Sequence, residues 1–226
     1  MAWACDRYNY LMKGIVGNPS IHIGAYGFTR PICFRKVVAG HQLAWGQAFE
    51  FSRGGPSLRN FRDSFVSNLN MTFGPAPTTH RVNFYVKTHG FNGPSWPDIC
   101  DWIPKLQAVW SVDAVCIQPA DLNFEEQFEH VKRATVHVTS HGAVSYLLLF
   151  ARQGSSSVIL VDNNCAALDL HPDHCRPKDI QIMPFMPWLN PFYYKRDSAA
   201  DLLGLLSHAL REASFNTGVA MPVPAS

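Results

Sequence analysis

The sequence predicts an α/β protein built on a parallel sheet. From residue 78 onward, short apolar runs alternate with amphipathic segments, as strands do when crossover helices join them. The apolar runs are nearly continuous, which is typical of strands covered on both faces. Residues 134–163 contain a β-branched run, a tight turn, an apolar helix and a second apolar run in succession. We therefore expect a Rossmann-like parallel sheet in the C-terminal two thirds of the chain.

Periodicity and capping residues assign the individual elements. In the N-terminal part, 32–39 is predicted to be a strand and 58–69 a helix with Ser57 as its N-cap, before a Gly- and Pro-rich linker at 74–77. The sequence thus predicts a reduced N-terminal part at 1–77 and a sheet domain at 78–226. Within that domain, the predicted elements are strand 82–86, helix 98–109, strand 113–118, helix 123–134 capped by Asn123, strand 135–139, helix 143–150, strand 157–161 and helix 198–214 capped by Asp197 or Ser198.

Composition excludes several classes of protein. The 226 residues carry a net charge of +2 without a Lys/Arg cluster, which argues against a nucleic-acid partner. No stretch reaches the roughly 18 apolar residues that a membrane span needs. No charged and apolar signal-peptide pattern opens the chain. We therefore expect no membrane span and no targeting segment in this chain.

The cysteines and one tripeptide bear on the cellular compartment. The six cysteines include no C-x-x-C pair, and their even number is a weak sign of an oxidising compartment. Cys116 lies in an apolar run and is predicted to be a buried thiol, whereas Cys165 and Cys175 flank a loop and could pair with each other. Residues 70–72, Asn-Met-Thr, form an N-glycosylation sequon, a pattern that also occurs often by chance.

The turn at residues 140–143, Ser-His-Gly-Ala, is the most informative motif. It lies between a predicted strand and a predicted helix, where unpaired N–H groups and the helix dipole favour an anion such as phosphate. Gly142 permits a ligand to approach the backbone closely, and His141 could contact a phosphate or a ribose. The same residues also fit a plain strand-to-helix turn, and both interpretations stay open.

An ordered set of segments resembles glycosyltransferase family 61. The resemblance covers about residues 32–162 and depends on the order of the segments, since none of them is diagnostic alone. The segments are 33–40 and 58–62 upstream, then 84–87 (Phe-Tyr-Val-Lys), 124–127 (Phe-Glu-Glu-Gln), 141–143 (His-Gly-Ala) and Gly154-Ser155 before a Val-Ile strand.

This resemblance implies a GT-B-like architecture and an inverting transfer of a sugar of GlcNAc or xylose type. The donor would be a UDP-sugar and the acceptor a hydroxyl of a glycoprotein or glycan, in the lumen of the Golgi or endoplasmic reticulum. It also implies a reaction without a metal or other cofactor, in keeping with a sequence that has no D-x-D motif. The donor-binding residues that it implies are Lys87, Gln127, His141, Gly142, Ala143 and Ser155.

The general base, which must take the proton of the acceptor hydroxyl, is left open by the sequence. The candidates are His89, Asp98 and Asp101, which follow the first strand of the sheet domain, and His41 and Glu50, which belong to the N-terminal part. Residues 171–175, His-Pro-Asp-His-Cys, lack a further ligand at zinc-site spacing and are expected to be a loop with incidental histidines.

Two other functions compete with this interpretation. Lys87 stands where the family commonly carries an arginine, and a lysine offers one compact charge instead of a planar fork. That difference favours a catalytically silent relative that binds a nucleotide or glycan, or a scaffold. A dinucleotide-dependent oxidoreductase is disfavoured because no G-x-G-x-x-G follows any predicted strand. The aromatic run at 184–194 fits either a sugar platform or packing under a loop.

Overall fold

The computed structural model describes residue 13 and residues 55–87, 96–140, 144–161, 188–195 and 201–225. The chain divides into two compact units, Met1–Thr72 and Phe73–Ser226. The strand predicted at 32–39 lies outside the described residues. The sheet and most of the described helices belong to the second unit.

Helix α1, Gly55–Asn68, belongs to the first unit. It begins before the predicted start because Pro56 lies in its first turn, where the missing N–H is not needed. Ser57 therefore lies inside the helix, and its prediction as the N-cap is wrong. Phe65 and Val66 of the predicted apolar pattern are buried, whereas Phe61 of the same pattern is exposed.

The second unit contains a five-stranded sheet in which every pair of neighbours is parallel, and this confirms the predicted α/β class. The strands are β1 Arg81–Tyr85, β2 Asp113–Ile117, β3 Val136–Ser140, β4 Ser155–Val161 and β5 Leu189–Lys195. They lie in the order β2-β1-β3-β4-β5. The first four match the predicted strands within about two residues, the usual precision of an element boundary.

The connections contain α-helices and 3₁₀ helices. They are the 3₁₀ helix Ile99–Asp101, α2 Trp102–Gln107, the 3₁₀ helix Pro119–Asp121, α3 Phe124–Arg133 and the 3₁₀ helix Ser145–Phe150. Helix α4, Leu202–Thr217, follows β5. None of the helices in the described part of the chain is long and apolar enough to cross a membrane.

Capping side chains fix the starts of α3 and α4. The N-terminus of α3 is the predicted one, because Asn123 accepts a hydrogen bond from the N–H of Glu126 (2.9 Å) and the Glu126 carboxylate accepts one from the N–H of Asn123 (2.8 Å). At α4, the Asp201 carboxylate accepts from the N–H groups of Leu203 and Gly204, both at 3.0 Å. The predicted start at 198 and its two candidate caps are therefore wrong.

The main core lies on one face of the sheet, against α2 and α4. Alternate strand residues supply it, because successive side chains of a strand point to opposite faces. Each large apolar side chain that is fully buried stabilises the fold by about 1.5–3 kcal/mol. The central members are Val82, Phe84, Val136, Val138, Val158 and Leu160 from the strands, with Ile99, Leu106, Leu206, Ala209 and Leu210 from the helical segments.

Strand β5 is the element that the sequence analysis missed. Pro191 lies within it and has no N–H to donate, which is tolerated because β5 is an edge strand of the sheet that the described residues form. The described end of the aromatic run is packed: Trp188 and Tyr194 are buried, and Tyr194 stacks on Trp96 with ring centroids 6.2 Å apart. For these residues, packing accounts for the aromatic composition.

A disulfide joins Cys100 and Cys116, with Cα atoms 5.6 Å apart. The prediction that Cys116 is a buried thiol is therefore wrong. Apolar neighbours at Val115 and Ile117 suggested burial, but β2 is the other edge strand and Cys116 is exposed on it. The pair connects the 3₁₀ helix Ile99–Asp101 to β2. Cys165 and Cys175 lie outside the described residues.

Candidate functional site

The strand order creates a topological switch point between β1 and β3. The strand that follows β1 in the chain, β2, lies on one side of this point, and the strand that follows β3, β4, lies on the other side. In open α/β sheets, ligands bind in the crevice outside the carboxyl ends of the strands at such a point. Here β1 ends at Tyr85, two residues before Lys87, and β3 ends at Ser140. These positions define the carboxyl edge that we consider as the candidate site.

Lys87 is the basic residue that follows β1 at this edge. Its side chain is largely buried, with 8% of the residue exposed. An antiparallel bridge fixes its backbone, since the N–H of Trp96 donates to the Lys87 carbonyl oxygen at 2.9 Å. Because Trp96 is itself buried against Tyr194, this position is held firmly. Lys87 therefore lies two residues beyond β1, at the edge where the neighbouring strands β1 and β3 both end.

Ser140 is a polar group at this edge that the sequence pattern predicts only as part of the turn. It is the last residue of β3 and is fully buried, and its Oγ has no hydrogen-bond partner within the described part of the chain. Buried polar atoms in native proteins are nearly always paired. The sequence signal was its position directly before the glycine-containing turn. The next three residues, His141, Gly142 and Ala143, lie outside the described residues.

The helix after this turn is shorter and tighter than predicted. The segment Ser145–Phe150 is a 3₁₀ helix, whereas periodicity predicts an α-helix over 143–150. Its position is set by packing, since the Phe150 ring lies edge-on to Phe124 and Phe128 of α3. Two turns of 3₁₀ helix sum few peptide dipoles. Affinity for an anion at this edge would therefore depend on side chains and on N–H groups of the turn, with little contribution from a helix dipole.

A buried polar cluster of Asn83, Tyr85 and His137 lies on the face of the sheet opposite the main core. The Nδ2 group of Asn83 donates to the Tyr85 hydroxyl (3.1 Å) and to the carbonyl oxygen of His130 in α3 (2.8 Å). The Tyr85 hydroxyl lies 3.1 Å from Nδ1 of His137, and the two rings are stacked at 17°. Each of the three residues is at most 1% exposed. The cluster therefore joins β1, β3 and α3 directly behind the candidate site.

Burial keeps the titratable groups of this cluster neutral. It lowers the pKa of His137 from 6.5 to about 3. It also raises the pKa of Tyr85 well above its ordinary value, and the hydrogen bond from Asn83 opposes this only in part. The hydrogen bonds of the cluster run from β1 to β3 and to α3, while Oδ1 of Asn83 and Nε2 of His137 are buried without a hydrogen-bond partner in the described part of the chain. We assign the cluster the role of holding the ends of β1 and β3 in register.

Gln127 has a structural contact that the sequence did not predict. Its side-chain amide donates to the carbonyl oxygens of Pro119 (2.7 Å) and Leu122 (3.1 Å). These bonds tie α3 to the 3₁₀ helix Pro119–Asp121, which follows β2 at the carboxyl edge. Both N–H groups of the amide are used in this way, so a contact with a ligand would have to come from the amide oxygen.

Ser155 lies at the other end of the sheet. It is the first residue of β4, and its hydroxyl donates to the carbonyl oxygen of Ala134. Ala134 lies two residues before β3, which begins at Val136. In a parallel sheet the amino ends of the strands form the edge opposite the carboxyl ends. A strand of five residues is about 16 Å long. The structure therefore brings Lys87 and Ser140 to the same edge but does not bring Ser155 to it.

The candidate bases are only partly described. Asp98 and Asp101 are exposed around the 3₁₀ helix Ile99–Asp101, after β1, whereas His41, Glu50 and His89 lie outside the described residues. Among the residues that the structure describes, no group of three or more His, Cys, Asp or Glu side chains could hold a metal ion. Residues 171–175 lie outside them.

Comparison with known proteins leaves the site without an assigned family. No protein-family model matches the chain, and no curated protein matches it.

Proposed function

We propose that this chain is the nucleotide-sugar-binding part of an inverting glycosyltransferase. In this proposal it transfers a sugar of GlcNAc or xylose type from a UDP-sugar to a hydroxyl of a glycoprotein or glycan. Two observations support the proposal. The sequence segments occur in the same order as similar segments of glycosyltransferase family 61, and the second unit contains a parallel α/β sheet. A GT-B-like arrangement, with the first unit on the acceptor side, is part of the proposal.

The observation that carries the proposal is the adjacency of β1 and β3. Val82 to Phe84 of β1 pair in parallel with Val136 to Val138 of β3, so the two strands end side by side. Lys87, two residues after β1, and His141, the residue after Ser140, are then expected at one crevice. In this proposal the Lys87 cation and the predicted glycine-containing turn at 141–143 lie at one crevice, which would suit a diphosphate.

The chemistry of transfer assigns a role to each of these groups. As the bond between the sugar and UDP breaks, negative charge builds up on the leaving diphosphate, and fixed cationic or hydrogen-bond-donating groups stabilise it. We assign this role to Lys87, to the His141 side chain and to the N–H groups of Gly142 and Ala143. The acceptor hydroxyl must lose its proton to a base, and Asp98 and Asp101 are the described candidates by position.

The disulfide supports the proposed compartment. Paired cysteines persist in oxidising environments such as the endoplasmic reticulum and are rare in the cytosol. Cys100 and Cys116 are joined in this structure, which agrees with a protein of the secretory pathway. We therefore propose the lumen of the Golgi or endoplasmic reticulum as its location.

A panel of nucleotides tests the proposal. Thermal unfolding of the full chain is measured with UDP, UDP-GlcNAc, UDP-xylose, GDP and NAD. A ligand at 100 times its Kd should add about 2.7 kcal/mol to the free energy of unfolding. We expect stabilisation by the uridine compounds and none by NAD. Stabilisation by NAD alone, or by no nucleotide in the panel, would reject the assignment.

Transfer must then be measured separately from binding. Incubation with a radiolabelled UDP-sugar and a mixture of glycoprotein acceptors should yield label on the acceptor. UDP binding without any transfer would instead identify a catalytically silent nucleotide-binding relative, which the single compact charge of Lys87 favours.

A further inference from the structure

A second feature of the chain, unrelated to the sheet, concerns modification of the protein itself. The triplet Asn70-Met71-Thr72 is the sole Asn-x-Ser/Thr sequence in the 226 residues whose middle residue is not proline. The other triplet of this form, at residues 18–20, contains proline and cannot be an acceptor. The sequence therefore offers one position of this kind for an N-linked glycan.

The structure puts this triplet in an exposed turn. Both Asn70 and Thr72 are exposed. The turn follows α1 directly and ends it: the N–H of Asn70 donates to the Ser67 carbonyl oxygen (2.9 Å), and the N–H of Met71 donates to that of Val66 (3.0 Å). This pair of bonds is the Schellman arrangement of a helix C-terminus.

Asn70 occupies the left-handed position of that arrangement, with φ 56°. Glycine is the usual residue there and asparagine is the alternative that tolerates it. The backbone groups near Asn70 are thus satisfied within the turn, without a need for its side-chain amide. An exposed turn with an asparagine side chain is accessible to an enzyme that modifies it.

The Cys100–Cys116 disulfide supplies an independent indication of compartment. It belongs to the second unit and does not involve the turn. Disulfides and N-linked glycans are acquired by the same class of proteins, those that pass through the endoplasmic reticulum. The sequon alone is weak support for glycosylation, because such triplets are common by chance. Its exposed residues and the disulfide of the chain are two further observations that support glycosylation.

We propose that Asn70 carries an N-linked glycan. The donor is an oligosaccharide linked through a diphosphate to a membrane lipid, and the host's oligosaccharyltransferase catalyses the transfer. The Asn70 Nδ2 atom forms a bond to the anomeric carbon of the first sugar, and the bond from that carbon to the diphosphate oxygen breaks. The lipid diphosphate leaves with the electron pair, and the amide nitrogen loses one proton to a base. This inference concerns a modification of the chain and does not depend on the nucleotide-sugar site.

The test uses the full chain behind a cleavable secretion signal in a mammalian cell line. Protein from medium and cell lysate is treated with peptide N-glycosidase F, so that chains retained in the cell are also scored. We expect a downward mobility shift and conversion of Asn70 to Asp, detected by mass spectrometry of the peptide. Wild-type protein that shows no shift in either fraction would overturn the proposal.

Three variants tie the shift to this triplet. Asn70→Gly removes the acceptor but suits the left-handed turn, so it should fold and lose the shift completely. Thr72→Ala should also lose it, whereas Thr72→Ser keeps the sequon and should retain it. A shift of unchanged size in Asn70→Gly would show that the glycan is elsewhere and would equally overturn the assignment.

Discussion

The Tyr85 hydroxyl and the Nδ1 atom of His137 lie 3.1 Å apart in the interior of the protein, although the residues are 52 positions apart in the sequence. The hydroxyl already accepts a hydrogen bond from Asn83, so its own O–H is in position to donate to the histidine. This contact joins β1 to β3 just behind the carboxyl edge that we propose as a ligand site. It links the stability of the sheet to pH, because a protonated His137 could not accept that hydrogen bond.

We predict that acid destabilises the protein through His137. Its pKa is about 3 in the folded protein against 6.5 for the ordinary side chain, so the unfolded chain binds the extra proton between these values. The free energy of unfolding should fall as pH is lowered through this range, by about 5 kcal/mol in total at about 1.4 kcal/mol per pH unit. Urea titrations at several pH values measure this slope.

The matched variants separate His137 from the other histidines. Burial also lowers the pKa of His80, which bonds to Thr135 and Ser214, so His80 contributes to the slope with the same sign. His137→Asn should remove the larger part of the slope above pH 4.5, whereas Asn60→Ala, a change of an exposed residue without a titratable side chain, should leave it unaltered. An identical slope in the wild type and His137→Asn would contradict the assignment.

We also predict an energetic coupling between Tyr85 and His137. Tyr85→Phe deletes the hydroxyl and leaves Asn83 and His137 each without one buried partner, which should cost about 1–3 kcal/mol of stability. A double-mutant cycle with His137→Leu isolates the pair. The coupling energy should be at least about 0.5 kcal/mol, and a value of zero would mean that the two side chains act independently.

The fold was predictable where local signals agree. The β-branched and apolar runs of β1 to β4 and the N-cap Asn123 depend on neighbouring residues, and the structure confirms these predictions. The missed features are set by tertiary position. A proline such as Pro191 disfavours a strand, and only the observed position of β5 at an edge of the sheet explains it. Similarly, the apolar neighbours of Cys116 predict a core residue, and only the observed edge position of β2 explains its exposure.

The candidate site was predictable in part. The positions of Lys87 and the Ser140 turn follow from strand assignment alone, because the carboxyl ends of parallel strands share one edge. Ser155 was grouped with them by resemblance, but its place at the amino end of β4 depends on strand direction and puts it at the opposite edge. The bonds of Gln127 to Pro119 and Leu122 depend on a 3₁₀ turn that no periodicity signals.

Removal of the Cys100–Cys116 disulfide should weaken the second unit. The bridge closes a loop with a sequence separation of 16, and such a loop contributes about 3 kcal/mol by restricting the unfolded chain. We expect the variant with both Cys100→Ser and Cys116→Ser to lose this amount in urea unfolding without reductant. Wild-type protein in reductant should match the variant, and equal stability of the oxidised wild type and the variant would argue that the bridge does not form.

The Lys87 side chain should be necessary for nucleotide binding. Lys87→Ala removes the cation at the switch point and should weaken UDP binding by about tenfold or more, equivalent to 1.4 kcal/mol, as measured by calorimetry. His141→Ala should have an effect in the same direction. Lys105→Ala, a change of an exposed lysine on α2, is the control for loss of charge and should bind as the wild type does. Unchanged affinity in both Lys87→Ala and His141→Ala would contradict the site assignment.

Gly154 should tolerate no side chain. It has φ +84°, and a Cβ atom there would lie 2.8 Å from the carbonyl oxygen of Asn216 near the end of α4. Because the obstructing atom belongs to the backbone, Gly154→Ala must either displace α4 from β4 or change the turn, at a cost of about 3 kcal/mol or more. Gly74→Ala is the matched control, since Gly74 has φ +63° but open space around the added atom. It should cost only the strain of the left-handed conformation, about 1–2 kcal/mol. Equal losses in the two variants, compared by urea unfolding, would show that contact with Asn216 contributes nothing beyond backbone strain.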